Sequence, residues 1–587
     1  MRFPYLTRSS LWSRITLALA LAATLFVAPL HADEKPTEQA RISLDSIFSP
    51  AESRNGMVVS EEELASQVGA DILQQGGNAV DAAVAVGFAL AVVLPEAGNL
   101  GGGGFMLVHL AQQHKTIAID YRETAPAKAF ADMYLDKQGK VDQQRLRFSY
   151  QSAGVPGTVA GLVHALEKYG TLPLKTVIAP AVKLAADGFV LKPAHVDTLT
   201  YAHERFLKSD ESRKTFLRPD GSDFQFGDRL VQPDLAWSLT QIQEHGAQAF
   251  YDGEIAKKLV ADMEANGGLI TAEDLKNYRV VEREPVRGTY RGYTIESMPP
   301  PSSGGVHLIQ LLNILEGYPI KDMGLNSAET LHVMAEAMKL AYADRSKYLG
   351  DPDFVTVPVA GLASKKYAAE LRNRIDRKHA MPSEKIQPGV PQKYESTQTT
   401  HFSVMDRWGN AVSNTYTLNF SYGSGITIKG TGILLNNEMD DFSAKPGEAN
   451  AYGLIGDKAN AIEPRKRPLS SMSPTIVFKN DKPYLVVGSP GGSTIITVVL
   501  QTIMNVLDHG LNIQAASSMP RMHHQWLPDS LRVEEGMSID TVKLLKAKGQ
   551  NVRFARPLGT SESIMWDGGV FYGAPDPRRA GGGAIGI

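Results

Sequence analysis

Residues 398–417 read Gln398-Thr399-Thr400-His401-Phe402-Ser403-Val404-Met405-Asp406-Arg407-Trp408-Gly409-Asn410-Ala411-Val412-Ser413-Asn414-Thr415-Tyr416-Thr417. β-Branched and aromatic residues flank a turn-forming set, Asp406 to Asn410, which predicts a strand, a turn and an antiparallel strand. A turn centred on Trp408 pairs residues equidistant from it, so Thr399 falls opposite Thr417. Directly opposed residues have Cβ atoms about 5 Å apart, close enough for two hydroxyls to interact. A threonine hydroxyl is a weak nucleophile until a base lies beside it. The base that needs no further residue is the threonine's own α-amino group, freed when the preceding bond is cut. The segment therefore suggests a chain that cleaves itself and uses the new end for catalysis. A plain Thr-rich edge hairpin is the alternative reading of this segment alone.

Upstream, residues 375–398 form a polar, helix-breaking linker marked by Pro382, Pro388 and Pro391. Downstream, the chain is strand-rich at 400–418, 474–478 and 483–488, with further strands expected at 551–555 and 563–572. The N-terminal part is helical. One helix is expected from Glu61 to Gln75, and Asn78 caps a second, almost wholly apolar helix from Ala79 to Val93. Gly101-Gly102-Gly103-Gly104 leads into strands Phe105–Leu110 and Thr116–Tyr121. Pro299-Pro300-Pro301-Ser302-Ser303-Gly304-Gly305 is a rigid entry to a helix. A long helix is expected from Ala328 to Arg345, with Asn326 and Glu329 as its capping box. Strand pairs separated by helices predict layered α and β rather than regular βαβ winding.

The 587 residues include no cysteine, which excludes disulfides and thiolate chemistry, and the net charge of −3 offers no basic field for nucleic acid. Arg2, Arg8 and Arg14 precede an apolar run, Ile15–Val27, too short to span a bilayer comfortably. Leu30-His31-Ala32 follows as a plausible cut. Residues 1–32 read as a secretory signal peptide, which implies a periplasmic or secreted protein with no stable membrane span.

Other segments carry possible chemistry. Gly488-Ser489-Pro490-Gly491-Gly492-Ser493 lies between a strand and an apolar helix, so its amides suit an oxyanion, although a tight turn explains the glycines equally well. Arg122, just past a strand end, could grip a carboxylate or lie on the surface. Asp440-Asp441, after Asn436-Asn437-Glu438, could hold an ammonium or a metal. Ser470-Ser471 is a hydroxyl-rich loop.

These motifs, in this order along nearly the whole mature chain, resemble the γ-glutamyltranspeptidases of the N-terminal nucleophile hydrolase superfamily. The motifs are Gly76–Ala83, Gly98–Phe105, Pro300–Gly305, Thr399–Ser403, Pro468–Pro474 and Gly488–Ser493. The resemblance implies an α+β fold, a four-layer αββα sandwich, made from a large subunit (33–398) and a small catalytic subunit (399–587) that stay together as a heterodimer. It implies that Thr399 is both processing residue and nucleophile, supported by Thr417, with Gly491 and Gly492 as the oxyanion hole. Arg122, Ser470 and Ser471 would hold the substrate α-carboxylate. Asn419, Glu438 and Asp441 would hold its α-ammonium, and Tyr452 would cover it from a lid, Pro446–Gly453. Glutathione and related γ-glutamyl compounds would be donors, water or amino acid and dipeptide acceptors the second substrates, with no metal or cofactor. A cephalosporin acylase or a poly-γ-glutamate-processing enzyme is the alternative on the same scaffold. The Gly-rich tail, Gly581–Ile587, departs from the familiar pattern and is expected to have no bearing on chemistry.

Overall fold

A computed structural model of the chain describes residues 47–389, 400–451 and 453–587. The proposed signal peptide, Thr399 and Tyr452 lie outside the described residues. The hairpin forms as read. Strands Thr400–Asp406 and Ala411–Thr417 pair from Thr400↔Tyr416 to Met405↔Ala411, the register expected for a turn centred on Trp408. Asp406 sets this turn, because its Oδ1 accepts from the N–H groups of Trp408 (2.9 Å) and Asn410 (3.0 Å).

The hairpin occupies the middle of a seven-stranded antiparallel sheet. In spatial order the strands are Gly583–Gly586, Gly56–Ser60, the two hairpin strands, Gly103–Leu110, Lys115–Tyr121 and Val281–Arg283. A second seven-stranded antiparallel sheet runs Ala51–Ser53, Phe571–Ala574, Ser563–Trp566, Lys482–Val487, Thr475–Lys479, Tyr293–Ser297 and Val286–Tyr290. Period-two alternation divides the side chains between layers. Val58, Met106, Val108, Val404 and Val412 pack with the N-terminal helices, whereas Met57, Val59, Phe105, Leu107, Met405 and Ala411 join the core of the second sheet. Helices Glu63–Gln74 and Ala79–Val93 cover the first sheet, and Gly304–Leu315, Ala328–Tyr348 and Ile495–Leu507 belong to the core of the second. The result is the αββα sandwich.

Each sheet takes strands from both sides of residue 399. Separating the two parts of a cut chain would therefore break inter-strand ladders in both sheets. Residues 48–587 make one compact unit. Helix Ala79–Val93 is buried all round, with Asn78 Oδ1 accepting from the N–H groups of Val80 (2.9 Å) and Asp81 (3.0 Å) and Asp81 accepting from Asn78 N–H (2.7 Å). Its apolarity serves a core between sheet and outer helices, and among the described residues no helix is long and apolar enough to cross a membrane.

One expectation needs adjustment. The long helix is capped by Ser327, not Asn326: Ser327 is extended and its Oγ accepts from Thr330 N–H at 3.1 Å, while Asn326 lies at φ 52° and precedes the cap. The described part of the linker, residues 375–389, is tied to the rest of the chain. Ala380 N–H donates to the Lys548 carbonyl (2.7 Å), Ser383 N–H to Asp529 (2.9 Å) and Gly389 N–H to Asp344 (2.7 Å). The C-terminal tail also has a structural place, as the edge strand beside Gly56–Ser60, closed by Ile587 N–H on the Gly56 carbonyl (3.1 Å).

The space between the sheets holds a polar stripe. His401 contacts Thr415 Oγ1 through Nδ1 (2.9 Å) and Ser403 Oγ through Nε2 (3.0 Å), and Ser403 donates its own proton to the Glu562 carbonyl (2.8 Å). Ser403 must then accept from Nε2–H, which makes Nδ1 the acceptor of the Thr415 hydroxyl. Burial pulls the His401 pKa down to about 3. A depressed folded-state pKa gives stability that is full above the unfolded value and is lost as pH falls through the folded one. His401 should thus cost roughly 2 kcal/mol of stability by pH 5, from 1.4 kcal/mol per unit below 6.5. The fall in unfolding temperature between pH 7 and pH 5 should be smaller in His401→Gln than in wild type, and an equal fall would contradict this assignment.

Candidate active site

The C-terminal end of the hairpin is held by Asn99 and the glycine run that leads into strand Gly103–Leu110. Asn99 Nδ2 donates to the Thr417 carbonyl at 2.9 Å, and a Cβ on Gly102 would lie 1.9 Å from that oxygen. Only glycine permits this approach. Thr417 Oγ1 accepts from Asn419 N–H at 2.8 Å. That bond uses a lone pair and leaves the hydroxyl proton available to a neighbour. Asn419 itself sits at φ 74° and donates through Nδ2 to the Asn437 carbonyl at 2.9 Å. The turn thus connects Thr417 to the acidic segment that follows Asn437.

Arg122 meets that segment directly. It is fully buried, not at the surface. Its Nη1 lies 2.6 Å from Glu438 and 3.5 Å from Glu123, and its Nη2 lies 2.5 Å from Asp441. Nε and Nη2 also donate to the carbonyls of Pro468 (3.1 Å) and Leu469 (3.0 Å). Arg122, Glu438 and Asp441, read from sequence as separate groups, therefore form one cluster. Asp440 is separate from it, paired with Arg147 at 2.8 Å. Burial pushes the Asp441 and Glu123 carboxyls well above the usual range, and the charge of Glu438 pushes them further, against the pull of Arg122. Burial also raises Glu438, with Arg122 opposing. Burial disfavours the Arg122 charge, but Glu438, Asp441 and Glu123 outweigh it and hold the pKa above the ordinary value. One guanidinium faces three carboxyls in a dry site, so without a further cation the carboxyls retain protons there. Glu438 Oε2, Asp441 Oδ1 and both Glu123 oxygens lack a hydrogen-bond donor among the described residues. An ammonium, with three N–H donors, suits that environment.

The serine loop rests on the segment Ser302–Gly305. Ser303 N–H and Oγ both donate to the Ser470 carbonyl, at 2.7 and 2.9 Å, and Ser302 Oγ donates to the Met472 carbonyl at 2.6 Å. This explains the rigid proline-serine-glycine motif. Ser470 Oγ accepts from Met472 N–H at 3.1 Å, and Ser471 Oγ accepts from Arg345 at 2.6 Å.

In the glycine loop, Gly491 (φ 128°) precedes a 3₁₀ turn, Gly492–Thr494. Thr494 holds the Gly491 carbonyl through its N–H (3.2 Å) and hydroxyl (2.7 Å). Across a trans peptide the Gly492 N–H points the opposite way, away from the helix that follows. A Cβ on Gly491 would lie 2.4 Å from Thr494 Oγ1. Gly491→Ala should therefore distort this amide pair and lower kcat about 10²–10³-fold, the usual cost of an oxyanion donor. A steady-state assay on a γ-glutamyl anilide checks it; a kcat within threefold of wild type would remove the loop from the chemistry.

The segment around residues 447–456 folds back on itself, with Gly447 N–H donating to Gly456 O (2.7 Å) and Asn450 N–H to Leu454 O (2.9 Å). Glu123, Asn99, Asn437 and Arg345 were not singled out from sequence. Glu123 had the clearest signal, as the neighbour of Arg122.

A family model described as Gamma-glutamyltranspeptidase matches residues 65–586. The glutathione hydrolase proenzyme of Escherichia coli is 54% identical over 566 residues, covering 96% of this chain and 97% of that protein. A solved cephalosporin acylase from Bacillus halodurans superposes with a TM-score of 0.82 at 29% identity, covering 95% of this chain and 99% of its own. A solved γ-glutamyltranspeptidase from Helicobacter pylori is 51% identical, with a TM-score of 0.55, over 56% of this chain and 95% of that one.

Proposed function

We propose the following activity for this chain, which belongs to the γ-glutamyltranspeptidase family: it cuts itself before Thr399 and then cleaves the γ-glutamyl amide of glutathione and related compounds. The observation that carries the reading is the buried cluster of Arg122, Glu438 and Asp441 beside Ser470–Ser471 and the end of the Thr417 strand. A γ-glutamyl group has a carboxylate and an ammonium at one end and the scissile amide at the other. Arg122 with Ser470 and Ser471 would take the carboxylate; Glu438, Asp441 and Asn419 would take the ammonium, and Tyr452 would cover the bound head group. Anchoring both charges fixes the scissile carbonyl carbon against one nucleophile.

In the first step the Thr399 hydroxyl oxygen attacks the carbonyl carbon of the γ-glutamyl amide while the free α-amino group of Thr399 accepts its proton. The Thr417 hydroxyl steadies the attacking oxygen. The negative charge on the former carbonyl oxygen is met by the N–H groups of Gly491 and Gly492. Collapse breaks the C–N bond, and the α-ammonium returns a proton to the leaving amine. The resulting γ-glutamyl ester of Thr399 is then attacked by water, giving glutamate, or by an amino acid or dipeptide, giving a new γ-glutamyl amide. Residues 1–32 would export the protein to the periplasm or beyond, and the two products of self-cleavage, 33–398 and 399–587, would remain a heterodimer.

The test compares two anilide donors. The γ-glutamyl anilide should be hydrolysed, and faster with glycylglycine added. The glutaryl anilide, which keeps the carboxylate and lacks the ammonium, should react at least about 10²-fold more slowly, from the loss of a charge-assisted contact in a dry site. Comparable rates on the two would favour an acylase of the cephalosporin type.

A further inference from the structure

The long helix Ala328–Tyr348 carries a buried arginine that reaches the substrate loop. Arg345 Nη2 donates to Ser471 Oγ at 2.6 Å, and its Nε approaches Ser303 Oγ at 3.3 Å. Ser303 in turn holds the Ser470 carbonyl. One turn earlier, Tyr342 lies under the guanidinium, 5.3 Å from ring centre to carbon, and its hydroxyl donates to the Ser493 carbonyl, at the end of the glycine loop. A single helix face therefore supports the serine loop and the glycine loop together.

The chemistry of the Arg345–Ser471 bond has a definite polarity. A guanidinium has five N–H donors and no acceptor. Ser471 Oγ must be the acceptor, so its hydroxyl proton is directed elsewhere. A substrate carboxylate only accepts, and a serine serves it only by donating. We infer that Arg345 is a positioning residue that fixes Ser471 as a donor toward the substrate α-carboxylate, and so sets selectivity for donors bearing that group. This rests on the γ-glutamyl reading above and deepens it. The positive charge behind the hydroxyl also strengthens its donation.

The experiment is a double-mutant cycle on Arg345→Gln and Ser471→Ala, read on two donors. One is the γ-glutamyl anilide; the other is the 4-aminobutyryl anilide, which lacks the carboxylate. Arg345→Gln should raise KM about tenfold on the first donor, the effect of about 1.4 kcal/mol, with kcat changed less than about threefold. The second donor should be unaffected. In the Ser471→Ala background the Arg345 substitution should add nothing, because the hydroxyl it orients is gone. Arg345→Lys, which retains a donor, should recover most of the affinity. Equal losses on both donors, or losses that add in the double variant, would make Arg345 purely structural and overturn the inference. Should Arg345→Gln not mature, Arg345→Lys decides: a folded lysine variant with KM raised equally on both donors also overturns it. Failure of the wild type to hydrolyse the γ-glutamyl anilide would instead sink the functional reading itself.

Discussion

Thr399→Ala should yield one uncut chain with no measurable γ-glutamyl hydrolysis, a loss of at least about 10⁴-fold, as for removal of other activated nucleophiles. Wild-type protein should instead run as two chains of about 40 and 20 kDa, from average residue mass. No other group can replace the threonine. The chain has no cysteine. Thr400 keeps its nitrogen in a peptide bond, so its hydroxyl has no α-amino base of its own. Thr399→Ser should restore both cleavage and activity in part. A fully matured alanine variant, seen on a denaturing gel, would remove Thr399 from self-cleavage.

Arg122→Ala should have the second largest effect. The arginine is fully buried among Glu123, Glu438 and Asp441. Its loss removes the proposed partner of the substrate carboxylate, and kcat/KM should fall at least about 10³-fold, mostly through KM. It also leaves buried carboxyls without a cation, at a cost of about 3–5 kcal/mol at neutral pH. That cost has a sign in pH. With raised pKa values the folded variant binds more protons than the unfolded chain, so its stability falls as pH rises through the ordinary carboxylate range and beyond. The variant should accordingly be closer to wild type in unfolding temperature at pH 5 than at pH 8. Kinetics on matured protein separate the two roles: self-cleavage impaired as much as substrate affinity would make Arg122 structural.

Much of this architecture was legible because it follows from local rules. The hairpin register needed only the turn around Trp408 and period-two alternation, and helix Ala79–Val93 was delimited by its Asn78 cap. The Asn326 cap failed for a local reason too, since both Asn326 and Ser327 are good caps and only backbone φ separates them. The pairing of Arg122 with Glu438 and Asp441 spans more than 300 residues, and no periodicity encodes it. Sequence motifs placed the same residues on a list of site groups without showing that they touch. The glycine-rich tail hid its strand because glycine has low β propensity; its place comes from pairing with Gly56–Ser60. Arg345 was hidden within a helix whose buried face is polar as well as apolar, with Glu336, Lys339, Asp344 and Arg345 all inside. Such a helix gives no clean amphipathic signal, and its charged residues read as solvent-facing.

N-terminal sequencing of the shorter chain of purified, active protein tests the central claim most directly. The account predicts a start at Thr399-Thr400-His401-Phe402. A shorter chain beginning at any other residue, or an active protein that remains one chain, would contradict it.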